Sequence, residues 1–184
     1  MKKFLERKTI GQDGILPKEY IESSDGQYID TGITNKVNDK VEIRVCCMTS
    51  QSGSKYLYGY SSDTTRCMLA VAWSGSKYLY DLQSGSGSNR VLSNIVANVD
   101  VYHTHLIDGK NYYIDGDLIG TSAGNISQAG DSAYLFSVNN KTSTANNDYW
   151  RITYCKITQD ETLIRNFIPA KNSNNVVGMY DLVE

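Results

Sequence analysis

At 184 residues the chain has the length of one domain, since the core of an all-β sandwich commonly runs to about 200 to 250 residues. Its 18 basic and 20 acidic side chains leave a formal net charge of -2 at pH 7, which provides no electrostatic footprint for nucleic acid, whose binding relies on clustered Lys and Arg. No apolar run approaches the roughly 20 residues that cross a bilayer as a helix, and residues 1–8 lack the apolar core of a signal peptide, so neither membrane insertion nor a leader is expected.

Two prolines, 15 glycines and 14 tyrosines among many Ser and Asn describe strands joined by polar turns, because Tyr suits a half-buried pleated surface. The four cysteines are Cys46, Cys47, Cys67 and Cys155. Neighbours in a strand point to opposite faces, so Cys46 and Cys47 do not easily bridge each other, and free thiols are expected. That fits cytoplasmic synthesis, as for a virion component; a mature exported chain stripped of its signal has the same appearance.

In chain order, residues 1–16 carry Lys2, Lys3, Glu6, Arg7 and Lys8, then a Gly11-Gln12-Asp13-Gly14 turn, and are expected to form a linker or a short helix. The domain proper is expected over residues 17–184. From Gln27 onward, short runs separated by Ser, Gly, Asn and Asp predict strands over 28–33, 41–48, 56–60, 67–73, 78–82, 91–96, 101–107, 112–114, 133–138, 150–158, 162–168 and 178–182. The motif S-G-S-K-Y-L-Y occurs at residues 52–58 and again at 74–80. Each copy alternates Tyr with Leu, so the two strands are expected in one sheet with their tyrosines aligned. Residues 111–121, N-Y-Y-I-D-G-D-L-I-G-T, are a strand, an Asp115-Gly116 turn and a strand, the commonest short hairpin signal.

Residues 19–32, E-Y-I-E-S-S-D-G-Q-Y-I-D-T-G, resemble the opening strands of a concanavalin A-like sandwich. Residues 150–181, W-R-I-T-Y-C-K-I-T-Q-D-E-T-L-I-R-N-F-I-P-A-K-N-S-N-N-V-V-G-M-Y-D, resemble the closing strands of laminin G-like modules found in bacterial surface proteins and in phage or prophage tail proteins. The Y-I-D-G-D-L-I-G-T hairpin is similar to one that recurs in the same group. The resemblance implies an all-β fold, a two-sheet antiparallel jelly-roll sandwich with its N- and C-terminal segments side by side. It also implies a setting on a virion, on a cell surface or outside the cell.

Glycoside hydrolases of this fold place paired carboxylates on one strand as E-x-D-x-x-E, because nucleophile and acid must flank the scissile bond about 5 Å apart. None of Glu6, Glu19, Glu22, Glu42, Glu161 and Glu184 begins such a run, so no enzyme activity is expected. His103 and His105 lie two apart in a predicted strand and share a face, but no third ligand accompanies them and no metal is assigned. The resemblance brings calcium into consideration through Asp63, Asp108, Asp131, Asn139, Asn140 and Asp148. These form no spaced ligand loop, and β-turns need Asp and Asn anyway, so no cofactor is assigned.

Carbohydrate recognition needs flat aromatic faces beside hydrogen-bonding side chains. The middle third of the chain has Tyr58, Tyr60, Trp73, Tyr78 and Tyr80 as aromatic candidates and Asp63, Arg66, Asp81, Gln83 and Arg90 as polar ones. Trp150 is assigned to the core. The leading expectation is a non-catalytic module that binds a glycan partner, with Tyr58, Tyr60, Asp63, Arg66, Trp73, Tyr78, Tyr80 and Asp81 as the ligand set. The alternative is a structural or assembly module that packs against other virion or surface-protein subunits, and a diverged glycanase is the third reading.

Overall fold

A computed structural model describes residues 5–7, 15–24, 26–49, 53, 55–62, 65–85, 89–126, 130–140, 144–145 and 149–183, with 5–7 and 144–145 described as backbone alone. Among them there is no helix. The strands are β1 (Leu5–Arg7), β2 (Leu16–Pro17), β3 (Ile21–Glu22), β4 (Ile29–Asp30), β5 (Lys40–Cys47), β6 (Lys55–Ser61), β7 (Arg66–Ser74), β8 (Lys77–Ser84), β9 (Asn89–Val96), β10 (His103–Asp108), β11 (Asn111–Ile114), β12 (Asp117–Thr121), β13 (Tyr134–Leu135), β14 (Val138–Asn139), β15 (Thr144–Ala145), β16 (Trp150–Gln159), β17 (Thr162–Lys171) and β18 (Val177–Asp181).

They form two sheets. The larger runs β1-β18-β17-β16-β5-β10-β11-β12, with β2 on β17 and β3 on β16; the smaller runs β15-β14-β6-β7-β8-β9, with β13 joining β4 to β6. Pairing is antiparallel except where β1 meets β18 and β14 meets β6. This is the all-β, two-sheet antiparallel jelly-roll sandwich that the terminal segments implied. Ile21–Glu22 pairs with Arg151–Ile152, and Leu16–Pro17 with Ala170–Lys171, so N- and C-terminal segments do lie side by side.

Strand periodicity builds the core. Val41, Ile43, Val45 and Cys47 alternate along β5 and meet Trp150, Ile152, Cys155 and Ile157 of β16 in the same layer; Cys67, Leu69 and Val71 of β7 with Tyr80 and Leu82 of β8 close it from the other sheet. Each such side chain contributes about 1.5–3 kcal/mol by leaving water. Ile168 and Ala170 fall on the opposite face of β17 from Phe167 and pack with Tyr180 under Ile15, so the chain entering the domain covers part of the larger sheet's outer side.

The structure differs from the sequence-based expectation at three places. Leu5–Arg7, inside the segment expected as linker or helix, is a strand beside β18. The run 133–138 is broken at Phe136, whose φ of 66 turns β13 into β14 and sends its N–H to the Leu57 carbonyl at 2.7 Å. That bond belongs to a bulge between Tyr56 and Tyr58, so Leu57 and Tyr58 both reach the core and the first S-G-S-K-Y-L-Y copy does not alternate as the second does. Gly59 follows with φ +140, where a Cβ would lie 1.9 Å from the Cys67 carbonyl oxygen, so no other residue fits that approach. The Asp115-Gly116 turn is as expected: φ values of 53 and 92 are those of a type I′ hairpin.

All four cysteines are free and buried. Burial pushes the Cys67 thiol up to about 12 and the Cys46 and Cys155 thiols above their ordinary range, which removes the reactive thiolate. At pH 8 a thiol-specific chromogenic disulfide is expected to label none of the four in the folded chain within minutes and all four in denaturant. Rapid native labelling of any one would show that its burial is transient.

Candidate functional site

The hairpin of β7 and β8 carries the most exposed aromatic side chain of the middle third. Its turn, Ser74 to Lys77, is tightened by Gly75 at φ 66 and by the Ser76 N–H donating to the Ser74 carbonyl at 2.8 Å. Trp73 and Tyr78 face each other across the strands just before this turn, with ring centroids 4.9 Å apart and planes tilted by 57°. They continue the inward row of Val71 and Tyr80 past the last layer of the core, so Trp73 remains 54% exposed. The Tyr78 hydroxyl accepts the Gly53 N–H at 2.6 Å, which fixes its ring.

Beside this pair lies an open hollow of about 260 Å³, lined by Ser76, Lys77, Tyr78, Val96, Ala97, Asn98 and Val99. Its floor is held by the Ala97 N–H donating to the Tyr78 carbonyl at 2.9 Å. Its far wall is the crossover to the larger sheet, pinned where Val99 bridges Cys47 and the Asp100 N–H donates to the Cys47 carbonyl at 2.9 Å. An indole and a phenol beside an amide, a hydroxyl and an ammonium have the chemistry to stack on one face of a sugar and bond its hydroxyls.

The structure divides the sequence-derived ligand set, and most of it does not belong to this site. Tyr58, Tyr60 and Tyr80 are fully buried, because the register sets them opposite Leu69, Cys67 and Val71 on the inward face. The Tyr58 hydroxyl donates to Asn35 Oδ1 at 2.7 Å within that interior. These three rings are core and present no face to a ligand. Asp81 pairs with Ala70 on the opposite, outer face of the smaller sheet and is also buried, since Arg90 Nε and Gln83 Nε2 each donate to its carboxylate at 2.8 Å. Burial pushes the Asp81 carboxyl above the ordinary range against the pull of Gln83 and Arg90. Arg66 opens β7 opposite Ser61, about 23 Å along the strand from Trp73 at 3.3 Å per residue. Asp63 lies outside the described residues. Trp73 and Tyr78 are therefore the part of the set that the structure brings together at a surface.

Sequence reasoning missed Asn98 and Val99, which reach the hollow only because β9 crosses over to β10 there. No local pattern marks them. Ser76 and Lys77 were visible as part of the duplicated motif, without a role.

His103 and His105 share a face, as their spacing predicted, but that face is the interior. His103 Nδ1 lies 2.6 Å from Asp115 Oδ2, and His105 Nδ1 lies 2.8 Å from the Tyr112 hydroxyl, with Tyr80 edge-on to both rings. Partial burial of Asp115 acts upward on its carboxyl, yet the Thr104 N–H and His103 together hold it below the ordinary range. Among the described residues no group of three or more His, Cys, Asp or Glu gathers where a metal ion would sit. Of the loop oxygens considered for calcium, Asp108 faces Lys40 at 3.8 Å and the Asn139 amide donates to the Ser132 carbonyl at 2.8 Å; Asp63 and Asp148 lie outside the described residues.

No protein-family model matches the chain, and no curated protein matches it. Among solved structures it is similar to a native heptameric SAP-like pentraxin from Limulus polyphemus, at 12% identity over 82% of this chain and 72% of that one, with a TM-score of 0.49. It is also similar to a beta-1,3-glucanase from Mycobacterium marinum, at 10% identity over 76% of this chain and 73% of that one, with a TM-score of 0.42.

Proposed function

We propose that the chain is a non-catalytic glycan-binding module of a phage or prophage tail protein or of a bacterial surface protein, and that it binds at the hairpin end of the smaller sheet. The observation that carries this reading is Trp73, half exposed and braced against Tyr78, which lines the hollow. A large apolar ring left in water beside fixed hydrogen-bonding groups is the arrangement that sugar stacking uses. Binding without cleavage is supported by the missing E-x-D-x-x-E strand and by Asp81, whose two carboxylate oxygens are already engaged by Arg90 and Gln83. Phage or surface context rests on the resemblance of residues 19–32 and 150–181.

A glycan array probed with the purified protein, with and without chelator, tests the reading. Trp73→Ala is expected to weaken binding of the best glycan about fivefold or more at unchanged thermal stability, by analogy with other buried stacking rings. Equal binding by the variant would move the site elsewhere, and reducing ends released from a bound β-glycan would overturn the non-catalytic assignment.

The assembly reading has one observation of its own. Leu16, Val176, Val177 and Leu182 are all exposed on or beside β2 and β18, at 54, 45, 42 and 38%. Light scattering on the purified chain separates the two: a stable oligomer that dissociates on Val177→Lys favours assembly, and a monomer favours ligand binding.

A further inference from the structure

Two connections meet at the hairpin end of the smaller sheet, and both leave apolar side chains in water. β7 and β8 turn there through Ser74 to Lys77, and β9 leaves the sheet through residues 97–102 to reach β10. The Ala97 N–H, bonded to the Tyr78 carbonyl at 2.9 Å, holds the second connection against the first. Trp73 is half exposed just before the turn, and Val99 and Val101 are 40 and 41% exposed in the crossover. Tyr78 links the indole to Val99, since its ring lies 4.9 Å from the Trp73 ring and it lines the same hollow as Val99. Between the two valines the chain turns at Asp100, at φ 57, whose carboxylate is taken by Arg151 at 3.3 Å. A sugar stacked on the indole leaves both valines in water. One exposed valine needs no explanation, but three apolar side chains on adjacent connections form the kind of patch that marks a docking surface.

The charges beside this patch fit a lipid surface. Register puts Lys55, opposite Val71, on the face of Trp73, and Lys77, opposite Ser74, on the other face, so the two ammoniums flank this end from both sides of the sheet. Neither forms an ion pair among the described residues. On opposite faces they share no single anion, whereas a layer of anionic headgroups meets both.

We propose that the glycan bound at this end is carried on an anionic lipid surface, with its sugar at the hollow and Trp73, and with Trp73, Val99 and Val101 at headgroup level. The inference rests on the glycan-binding reading above and adds the surface that presents the ligand. An indole favours the membrane–water interface, the depth at which the sugar of a glycolipid lies. Apolar area and basic charge then act together, as they do for other proteins that lie on a membrane without crossing it.

The chain has two tryptophans and Trp150 is buried, so a change in tryptophan emission on docking reports Trp73. The probes are phosphatidylcholine vesicles, the same vesicles with about 20 mol% phosphatidylglycerol, and the latter carrying the strongest array glycan on a lipid tail. Phosphatidylglycerol vesicles are expected to co-sediment the protein and to shift its emission to the blue, with quenching by brominated phosphatidylcholine, and phosphatidylcholine alone to do little. Adding the glycan is expected to tighten binding at least about tenfold, because both contacts then act on one surface. Raising salt from about 50 to 500 mM is expected to weaken binding to the phosphatidylglycerol vesicles about tenfold. Val101→Asp is expected to weaken vesicle binding about tenfold and Lys55→Gln about fivefold, with the affinity for the free glycan unchanged, since neither residue lines the hollow. Binding of the free glycan without docking on any vesicle would overturn the lipid surface and leave the glycan-binding reading standing. Vesicle docking by a chain that hits no glycan would overturn that reading and leave the lipid contact. A stable oligomer in lipid-free solution that Val101→Asp dissociates would assign the patch to a second copy of the chain and overturn the lipid surface.

Discussion

Tyr80→Ala is expected to lower the unfolding free energy by about 3–5 kcal/mol, the cost of deleting a fully buried aromatic ring and leaving a cavity. The ring sits at the centre of the sandwich, 4.5 Å from the His105 ring and 5.5 Å from the His103 ring, with its hydroxyl 3.9 Å from Cys47 Sγ. Its removal strips packing from both sheets at once. Tyr80→Phe separates the ring from the hydroxyl and is expected to cost about 0.5–1.5 kcal/mol, because the lost polar contact is a weak one to sulfur. Trp73→Ala, two residues along the same face in register but past the core, is expected to stay within about 1 kcal/mol of the parent. Urea unfolding with an unchanged m value measures all three. Similar losses for Tyr80→Ala and Trp73→Ala would mean that Trp73 is core, and the proposed site would fall with it.

Acidification from pH 7 to pH 4 is expected to destabilise the fold through His105, on the order of 3 kcal/mol from this side chain. Burial first, and the neighbouring His103 second, lower its pKa from 6.5 to about 3, against the pull of Asp115. Its Nδ1 is occupied with Tyr112 and its Nε2 is buried without a hydrogen-bond partner, so a second proton finds no acceptor inside. The sign follows from where the proton goes. Between pH 6.5 and 3 the unfolded chain protonates this histidine and the folded chain does not, so stability is full above 6.5 and falls by up to about 1.4 kcal/mol per pH unit below it.

Asp39 and Asp81, both pushed upward by burial, act with the opposite sign in the carboxylate range, and Asp115, held low, loses its contribution only below its ordinary value of 3.8. Comparing the parent with His105→Gln cancels these shared groups. The variant is expected to show a shallower fall in unfolding free energy between pH 6.5 and 4. Superimposable slopes would show that the folded chain admits the proton at His105 after all.

Much of the sandwich is legible in the chain because strand signals are local. Alternation in Val41-Glu42-Ile43-Arg44-Val45 and in Trp150-Arg151-Ile152 specifies strands with an apolar face, and Asp115-Gly116 specifies a hairpin, since only the two residues of the turn must accept positive φ. What alternation leaves open is which face turns inward, and whether an insertion shifts the phase. In β6 the bulge at Tyr56/Tyr58, stabilised by Phe136 from a distant segment, lets Leu57 and Tyr58 both enter the core, whereas in β8 an identical sequence keeps strict alternation and leaves Tyr78 at the surface.

The sequence by itself therefore determined the strand content, the Asp115-Gly116 turn and the adjacency of the chain ends. Tertiary structure alone decided that Tyr58, Tyr60 and Tyr80 are core and that Asp81 lies across the sheet from Trp73. It also decided that Asn98 and Val99 meet the Ser76-Lys77 turn at one hollow. The reason is register: pairing between strands distant in sequence sets the depth and direction of every side chain, and a shift of one residue would exchange the two faces.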